Sequence, residues 1–303
     1  MHASTLKDPV LDKLSGLQLE RQALELDVCG YTVIEDVIDP DIVASGLEAT
    51  LQTFGELNGN RPDVARGKGY EGYWVSRCML FKDPAFESIV MAEKVLALVD
   101  YVVGDDCILS TQTAHIRGQG GGKQLPNGYL PLHGDDTSPQ PHPNFHNSVT
   151  VNICLTDVDE ASGCLGFVPG SHKLLRQPTP QESIVSGEGA NPNIVPLVAP
   201  AGSAVIWPAH TWHGSWESKT PGLRVTLAEL FSRPHIQPYE SFRETVPDEV
   251  LARNSDRFAA LMGMNTVFGW NDHHTDDWGK TWGDRDRSRY VPRALESKIA
   301  AKP

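Results

Sequence analysis

The sequence has few cysteines, and their arrangement excludes two common cysteine-dependent architectures. Only 5 of the 303 residues are cysteine, and no two of them form a CxxC pair. An odd number of widely spaced thiols does not suit a disulfide framework, and a thiolate zinc site needs closely spaced pairs. We therefore expect reduced, mostly buried thiols that take no part in a metal site.

The chain also lacks a long apolar run and an excess of positive charge. It contains no run of about 18 apolar residues, so no membrane-spanning helix is expected. The first residues lack the apolar core of a signal peptide, and we expect a cytoplasmic protein. The formal net charge of −13 repels nucleic acid and anionic membranes. We expect a small-molecule substrate, no nucleic-acid or membrane partner, and an oligomeric state that composition leaves open.

Helical and strand-like patterns occupy different parts of the chain. Three segments at helical spacing come first, and they are predicted to end at Gly30, Leu57 and Gly104. Short β-rich runs separated by Gly, Pro, Asn and Asp follow, which is typical of a β-sandwich or barrel. We expect a mainly β fold with flanking helices. The expected single domain of residues 1–303 has a helical part at about 1–104, a β core at about 105–233 and a C-terminal tail at 234–303.

The stretch Leu130–Ser148 gathers three of the 11 histidines beside two aspartates. Within it, His133 and Asp135 lie two residues apart, so on a strand both side chains point to the same face. They would supply two ligands of a 2-His-1-carboxylate facial triad, the site of non-haem Fe(II) oxygenases. The third ligand must be a histidine from a distant strand. Taken alone, the HxD pair is a weak signal, and a surface turn explains it better.

A second segment, Gly202–Phe231, could supply the missing parts of such a site. It carries His210 and His213, and then a strand that begins near Arg224. A buried arginine beside a metal needs an anionic partner. Its planar fork suits the far carboxylate of a 2-oxoacid that chelates the metal through its other end.

Four motifs resemble the phytanoyl-CoA dioxygenase family of Fe(II)/2-oxoglutarate-dependent oxygenases. They are "GYTVIEDVIDPDIV", "LHGDD", "DVDEASGCLGFVPGSHK" and "HGSWESKTPGLR", and they span Gly30 to Phe231. The resemblance implies a double-stranded β-helix, a jelly-roll or cupin-like core. It implies the following residue roles: Fe(II) ligands His133, Asp135 and His213, a 2-oxoglutarate anchor Arg224, and a secondary contact Ser215. Asn152 stands where relatives often carry Trp, and it could either bond the cosubstrate or face outward.

The resemblance implies an oxygenase that uses Fe(II), 2-oxoglutarate and O2 and releases succinate and CO2. Related halogenases have a small residue in place of the carboxylate ligand, so Asp135 favours hydroxylation of an unactivated C–H bond in a small molecule. Desaturation, epoxidation and rearrangement are the other outcomes of the same chemistry. The alternative function is a cupin-type metal-dependent hydrolase or isomerase that does not use 2-oxoglutarate, and Arg224 argues against it.

The remaining histidines leave alternatives open. His210 lies three residues before His213 and could take its place as the third ligand. His142 and His146 are four residues apart, a spacing that suits a metal-binding pair on a helix. The prolines on either side of His142 argue against a helix there. We therefore expect these two residues in a loop or in the substrate pocket.

One long segment and four aromatic residues complete the candidates. Arg176–Pro196 has little periodicity and is long for a connection between strands, which is typical of a lid or binding loop. The aromatic side chains could line an apolar pocket or belong to the core. They are Trp207, Trp212, Trp216 and Phe145.

Overall fold

The computed structural model of the protein describes residues 9–264, which contain eight α-helices and ten β-strands. The helices are α1 (Pro9–Gly16), α2 (Glu20–Cys29), α3 (Pro40–Asn58), α4 (Pro84–Val90), α5 (Glu93–Val103), α6 (Phe242–Thr245), α7 (Asp248–Arg253) and α8 (Asp256–Leu261). The strands are β1 (Thr32–Ile34), β2 (Tyr73–Ser76), β3 (Ile108–Arg117), β4 (Leu130–His133), β5 (Ser148–Cys154), β6 (Leu165–Phe167), β7 (Val195–Pro196), β8 (Ala204–Pro208), β9 (His213–Ser215) and β10 (Arg224–Ser232).

The strands form two antiparallel sheets. The larger has six strands in the order β1-β8-β5-β10-β3-β2, and the smaller has four in the order β4-β9-β6-β7. Neighbours in space are mostly distant in sequence, so long-range pairing of strands builds both sheets. The mainly β fold with flanking helices is therefore confirmed.

The central strands of the larger sheet are buried on both faces. Every residue of β5 is buried, and β10 lies between β5 and β3. Helix α5 contacts β5, β8 and β10 and covers the outer face of this sheet with apolar side chains such as Val95 and Leu98. The inner face is turned toward the smaller sheet, and side chains from both sheets meet there in an apolar cluster around Phe167 and Trp207.

Local sequence explains where the second predicted helix begins. Asp39 precedes α3, and its side chain accepts a hydrogen bond from the backbone N–H of Asp41 at 2.8 Å. Pro40 occupies the first turn, where a missing N–H costs nothing. The prediction for this helix is confirmed, with its end at Asn58.

The first and third helical segments differ from the prediction, because each is divided into two helices. Between α1 and α2 the chain passes through Gln18, whose φ of 59° lies outside the right-handed helical region. Between α4 and α5, Ala92 has a ψ of 113° and interrupts the helical hydrogen bonds. Leu14 and Leu26, on either side of the first break, both remain buried in the same core. The breaks thus turn each segment so that both halves can pack.

Part of the predicted C-terminal tail is ordered against the core. The helices α6, α7 and α8 bury Phe242, Val250 and Phe258, and α8 contacts β3. None of the helices within residues 9–264 combines the length and apolar composition that a membrane span requires. The aromatic and charged residues that follow Gly269 lie outside the described residues.

Candidate metal centre

Three predicted ligands converge where two strands of the smaller sheet meet. His133 ends β4 and His213 begins β9, and the two are paired across the strands. Asp135 follows two residues after His133. Its Oδ1 lies 3.7 Å from His133 Nε2 and 3.6 Å from His213 Nε2, and the three donor atoms lie within 4.8 Å of one another. These separations are too long for direct hydrogen bonds and suit atoms grouped around one ion.

Each imidazole is oriented by a backbone carbonyl two residues before it. His133 Nδ1 lies 2.9 Å from Pro131 O, and His213 Nδ1 lies 3.0 Å from Thr211 O. A carbonyl only accepts, so this geometry assigns the proton to Nδ1 and leaves the Nε2 lone pair directed at Asp135. A metal-binding histidine is commonly held in this way, by a hydrogen bond from its other nitrogen.

The carboxylate of Asp135 is held just as firmly. Its Oδ2 accepts from Thr150 Oγ1 at 2.7 Å and from Trp207 Nε1 at 3.2 Å, which leaves Oδ1 free on the side of the imidazoles. Burial acts to raise the pKa of Asp135, but His213, His133 and the two hydrogen bonds outweigh it and hold the pKa below its usual range. Burial lowers the pKa of His213 to about 4. At neutral pH the group is therefore an ionised carboxylate with an unprotonated His213, the forms that bind metals.

Arg224 begins β10 on the wall of a cavity of about 240 Å³ that lies between the sheets and also includes the three converging residues. Only 4% of Arg224 is exposed, and within residues 9–264 its Nε and Nη1 have no hydrogen-bond partner. A buried guanidinium without an acceptor is costly unless an anion joins it. The donor set and this unpartnered cation together fit an iron ion with a bound 2-oxoacid.

The two other predicted cosubstrate contacts also line the cavity. Ser215 ends β9 and is buried, close in the chain to His213. Asn152 lies on β5, and its Oδ1 is buried without a hydrogen-bond partner among residues 9–264. Asn152 therefore points into the cavity, so the outward-facing alternative is wrong. Its contact with a cosubstrate stays a prediction.

A second cluster of histidines lies on the other side of the ligand-bearing loop. Asp136 Oδ2 accepts from His210 Nε2 at 2.9 Å, and Asp136 Oδ1 lies 3.9 Å from His142 Nδ1. The ring of His146 packs against His210 with centroids 5.0 Å apart. His210, His142 and His146 do not line the cavity, and of the two predicted places for His142 and His146 the structure shows the loop.

The two clusters differ in how their imidazoles are supported. In the second cluster His210 Nδ1 and His142 Nε2 have no hydrogen-bond partner in the described part of the chain, whereas each imidazole of the first cluster is anchored by a carbonyl. Asp136 and His210 are already in hydrogen-bond contact. We interpret this pair as a tie between the two segments that carry the ligands, because Asp136 follows Asp135 and His210 precedes His213.

The long segment from Arg176 is also attached to the ligand-bearing loop. The side chain of Gln177 accepts from Gly134 N at 2.8 Å and donates to the carbonyls of Gly134 and Asp136. Ser183 O accepts from Leu132 N on β4 at 2.9 Å. These bonds make the segment a support for the loop. Closure over a substrate stays a prediction.

The predicted aromatic residues have different surroundings. Trp207 lines the cavity, while Trp212 packs under Arg176 and donates its Nε1–H to Arg176 O at 2.8 Å. Trp216 packs against two apolar clusters, one around Phe167 and Trp207 and the other around Leu132 and Val168. Phe145 is exposed beside Arg233. Only Trp207 of the four is therefore placed to contact a ligand of the cavity.

Sequence reasoning missed a hydrogen-bonded row on the opposite wall. Tyr73 Oη is bonded to His115 Nδ1, and His115 Nε2 lies 2.8 Å from Thr113 Oγ1. All three line the cavity. Burial, followed by Arg224, lowers the pKa of His115 to about 4, so its ring is neutral. The alternation of polar residues at 111, 113 and 115 on β3 was the available signal, whereas nothing in the sequence marked Tyr73.

Comparison with known proteins identifies the family of the chain. A model of the Phytanoyl-CoA dioxygenase (PhyH) family matches residues 26–226. Uncharacterized protein Rv1501 of Mycobacterium tuberculosis is 23% identical over 242 residues, which is 78% of this chain and 84% of that protein.

Two solved structures illustrate the shared fold. HygX from Streptomyces hygroscopicus, with nickel and 2-oxoglutarate bound, superposes with a TM-score of 0.57 at 19% identity and covers 73% of this chain and 89% of its own. The epimerase SnoN, in complex with Fe3+, alpha ketoglutarate and nogalamycin RO, gives 0.53 at 21% identity over 72% and 85% of the chains. The predicted double-stranded β-helix is thereby confirmed.

Proposed function

The chain belongs to the phytanoyl-CoA dioxygenase family, a family of Fe(II)/2-oxoglutarate-dependent oxygenases, and we propose that it hydroxylates an unactivated C–H bond of a small molecule. One observation carries the proposal. An open array of His133, Asp135 and His213 shares a cavity with Arg224, a buried cation that has unpartnered nitrogens. A hydrolase or isomerase that does not use 2-oxoglutarate would leave this cation without a role.

In this proposal His133, Asp135 and His213 hold Fe(II), and Arg224 binds the distal carboxylate of 2-oxoglutarate. Iron, 2-oxoglutarate and O2 together supply the oxidising power, and succinate and CO2 are released. Thr150 and Trp207 fix the carboxylate of Asp135, so that Oδ1 is presented to the metal. The carbonyls before each histidine fix the rings. Ser215 and Asn152 add polar contacts to the cosubstrate.

The surroundings of the site favour a neutral substrate of modest size. Within residues 9–264, the only carboxyl group that lines the cavity besides that of Asp135 is the one of Glu229. Burial raises its pKa to about 8, so it is mostly protonated at neutral pH. No lysine of the described residues lines the cavity, and the net charge of −13 disfavours a polyanionic acyl-CoA. HygX and SnoN, which share the fold, bind hygromycin B and nogalamycin RO.

The reaction is tested with isotopically labelled oxygen. Small molecules are screened for stimulated succinate release, and the product of any positive compound is analysed by mass spectrometry under 18O2. Hydroxylation predicts one labelled oxygen atom in the product. A product that lacks two hydrogens, or an isomer without label, would replace hydroxylation by desaturation or epimerisation. The His213→Ala variant, which lacks a proposed ligand, is the control and should release no succinate.

A further inference from the structure

Two arginines are buried side by side in the larger sheet. Arg117 ends β3 and Arg224 begins β10, and the two are direct partners in the antiparallel register. Residues directly opposite one another in such a pair point to the same face of the sheet. Arg117 is 0% exposed and Arg224 is 4% exposed. Two guanidinium groups are therefore withdrawn from water on the same face of neighbouring strands.

Neither guanidinium is neutralised within residues 9–264. Arg117 Nη2 donates to the carbonyls of Gly128 and Trp216, but its Nε and Nη1 have no partner, and the same two nitrogens of Arg224 have none. Burial, followed by the charge of Arg224, lowers the pKa of Arg117 to about 10. Glu217 acts in the opposite direction on this pKa, yet it is exposed and forms no ion pair with Arg117.

This arrangement creates a greater demand for negative charge than a single buried arginine would. Like charges in a buried site repel one another, and each unpaired ion also loses its hydration. An anion beside Arg224 reduces both costs, and the positive charge of Arg117 behind Arg224 makes binding of that anion more favourable. Arg117 does not line the cavity, so its influence on a ligand passes through Arg224 and through its field.

We propose that Arg117 is a positioning residue of the carboxylate site and makes that site selective for a 2-oxoacid with a second carboxylate. The inference rests on the proposed function, in which Arg224 binds the distal carboxylate of 2-oxoglutarate. Both arginines then act on the distal end of the cosubstrate. The metal-chelating end, which every 2-oxoacid shares, lies with His133 and its companions.

The test compares two cosubstrates on Fe(II)-loaded protein without oxygen. Dissociation constants are measured by calorimetry and by the visible charge-transfer band for 2-oxoglutarate and for 2-oxobutyrate, which lacks the distal carboxylate. Arg117→Gln should weaken the binding of 2-oxoglutarate about fivefold to tenfold and leave the affinity for 2-oxobutyrate unchanged. Arg117→Lys keeps the positive charge and should therefore keep most of the preference for 2-oxoglutarate over 2-oxobutyrate. Arg117→Met is the second neutral variant in case the first does not fold.

The matched control is Arg233→Gln, because Arg233 also donates to a backbone carbonyl, that of His146, but lies away from the cavity. Its preference between the two oxoacids should equal that of the wild type. Equal weakening of both oxoacids in Arg117→Gln, or an unchanged preference, would overturn the inference and assign Arg117 a purely structural role. If 2-oxoglutarate gave no charge-transfer band in the wild type, or if Arg224→Ala bound it normally, the proposed function itself would fail.

Discussion

Asp135 and Asp136 are neighbours in the chain, yet their side chains belong to different structures. Asp135 faces the cavity with His133 and His213, and Asp136 faces the opposite way and binds His210. Strand β4 ends at His133, and the bend at Asp135 leaves the adjacent side chains of Asp135 and Asp136 on opposite sides of the loop. His210 lies in the turn that follows β8, and the two residues Thr211 and Trp212 separate it from His213 at the start of β9. The side of the ligand-bearing loop on which a histidine lies thus decides which of the two clusters it joins.

The hydrogen bond between Asp136 and His210 is predicted to support the metal site from behind. Asp136→Asn should weaken Fe(II) binding about tenfold without abolishing it, because a supporting bond is weakened while all three ligands remain. Anaerobic Fe(II) titration measures the effect. Asp157→Asn is the control, since the Asp157 carboxylate accepts a similar bond from Ala201 N at 2.8 Å in another turn. Unchanged iron affinity in Asp136→Asn would contradict a supporting role.

Glu229 is predicted to make stability depend on pH. It is 0% exposed, it accepts from Gln112 Nε2 at 2.9 Å, and burial raises its pKa from 4.5 to about 8. The folded protein holds this proton more tightly than the unfolded chain does. The proton's contribution to the free energy of unfolding is therefore fully present below about pH 4.5. The contribution is lost as the pH rises toward and through 8, by about 1.4 kcal/mol per unit.

Glu229→Gln removes this titration and keeps the shape of the side chain. The free energy of unfolding of the variant minus that of the wild type should therefore increase between pH 5 and pH 8. Urea unfolding at several pH values gives this difference, in which the other titrating groups largely cancel. A difference that stays constant with pH would show that Glu229 is ionised in the folded protein or is not as buried as described.

Elements were predictable from sequence where they are long, and less so where they are short. The strands β3, β5 and β10 have seven to ten residues each, and their apolar and polar patterns predicted them. The smaller sheet is built from strands of two to four residues, too short for a periodic signal. Its site was predicted through the HxD spacing and the family resemblance. The second histidine cluster could not be predicted, because long-range contacts create it.

Two glycines that end helices are predicted to differ in their tolerance of alanine. Gly30 follows α2 with a φ of 81°, and a Cβ there would lie 2.3 Å from His172 Nδ1. Gly59 follows α3 with a φ of 68°, and a Cβ there would meet nothing within 4 Å. Gly59→Ala should cost about 1 kcal/mol for the left-handed backbone alone.

Gly30→Ala should cost about 1–3 kcal/mol more than Gly59→Ala, because the methyl group also displaces His172. Both values come from the free energy of unfolding in urea. The pair separates the steric effect from the backbone effect, since both glycines have the same conformation. Equal destabilisation by the two substitutions would mean that His172 moves aside at no cost.

For the molecule as a whole, the resemblance predicted over Gly30–Phe231 agrees closely with the family match over residues 26–226. This span includes both sheets up to the start of β10, where the metal ligands and Arg224 lie. The helices after β10 pack on the core outside the matched span, and only their burial in the structure assigns them a place. Overall charge predicted that there is no polyanionic partner, which stays a prediction, and it gave no information about the local pair of buried arginines beside the cavity.

The most direct test of the account is an anaerobic Fe(II) titration of five alanine variants, followed by addition of 2-oxoglutarate. His133→Ala, Asp135→Ala and His213→Ala should lose tight iron binding and the visible charge-transfer band, because each removes a proposed ligand. His142→Ala and His210→Ala should fold, retain iron and give the band, the second with reduced affinity because its bond to Asp136 is lost. Loss of iron in His210→Ala together with retention in His213→Ala would contradict the account.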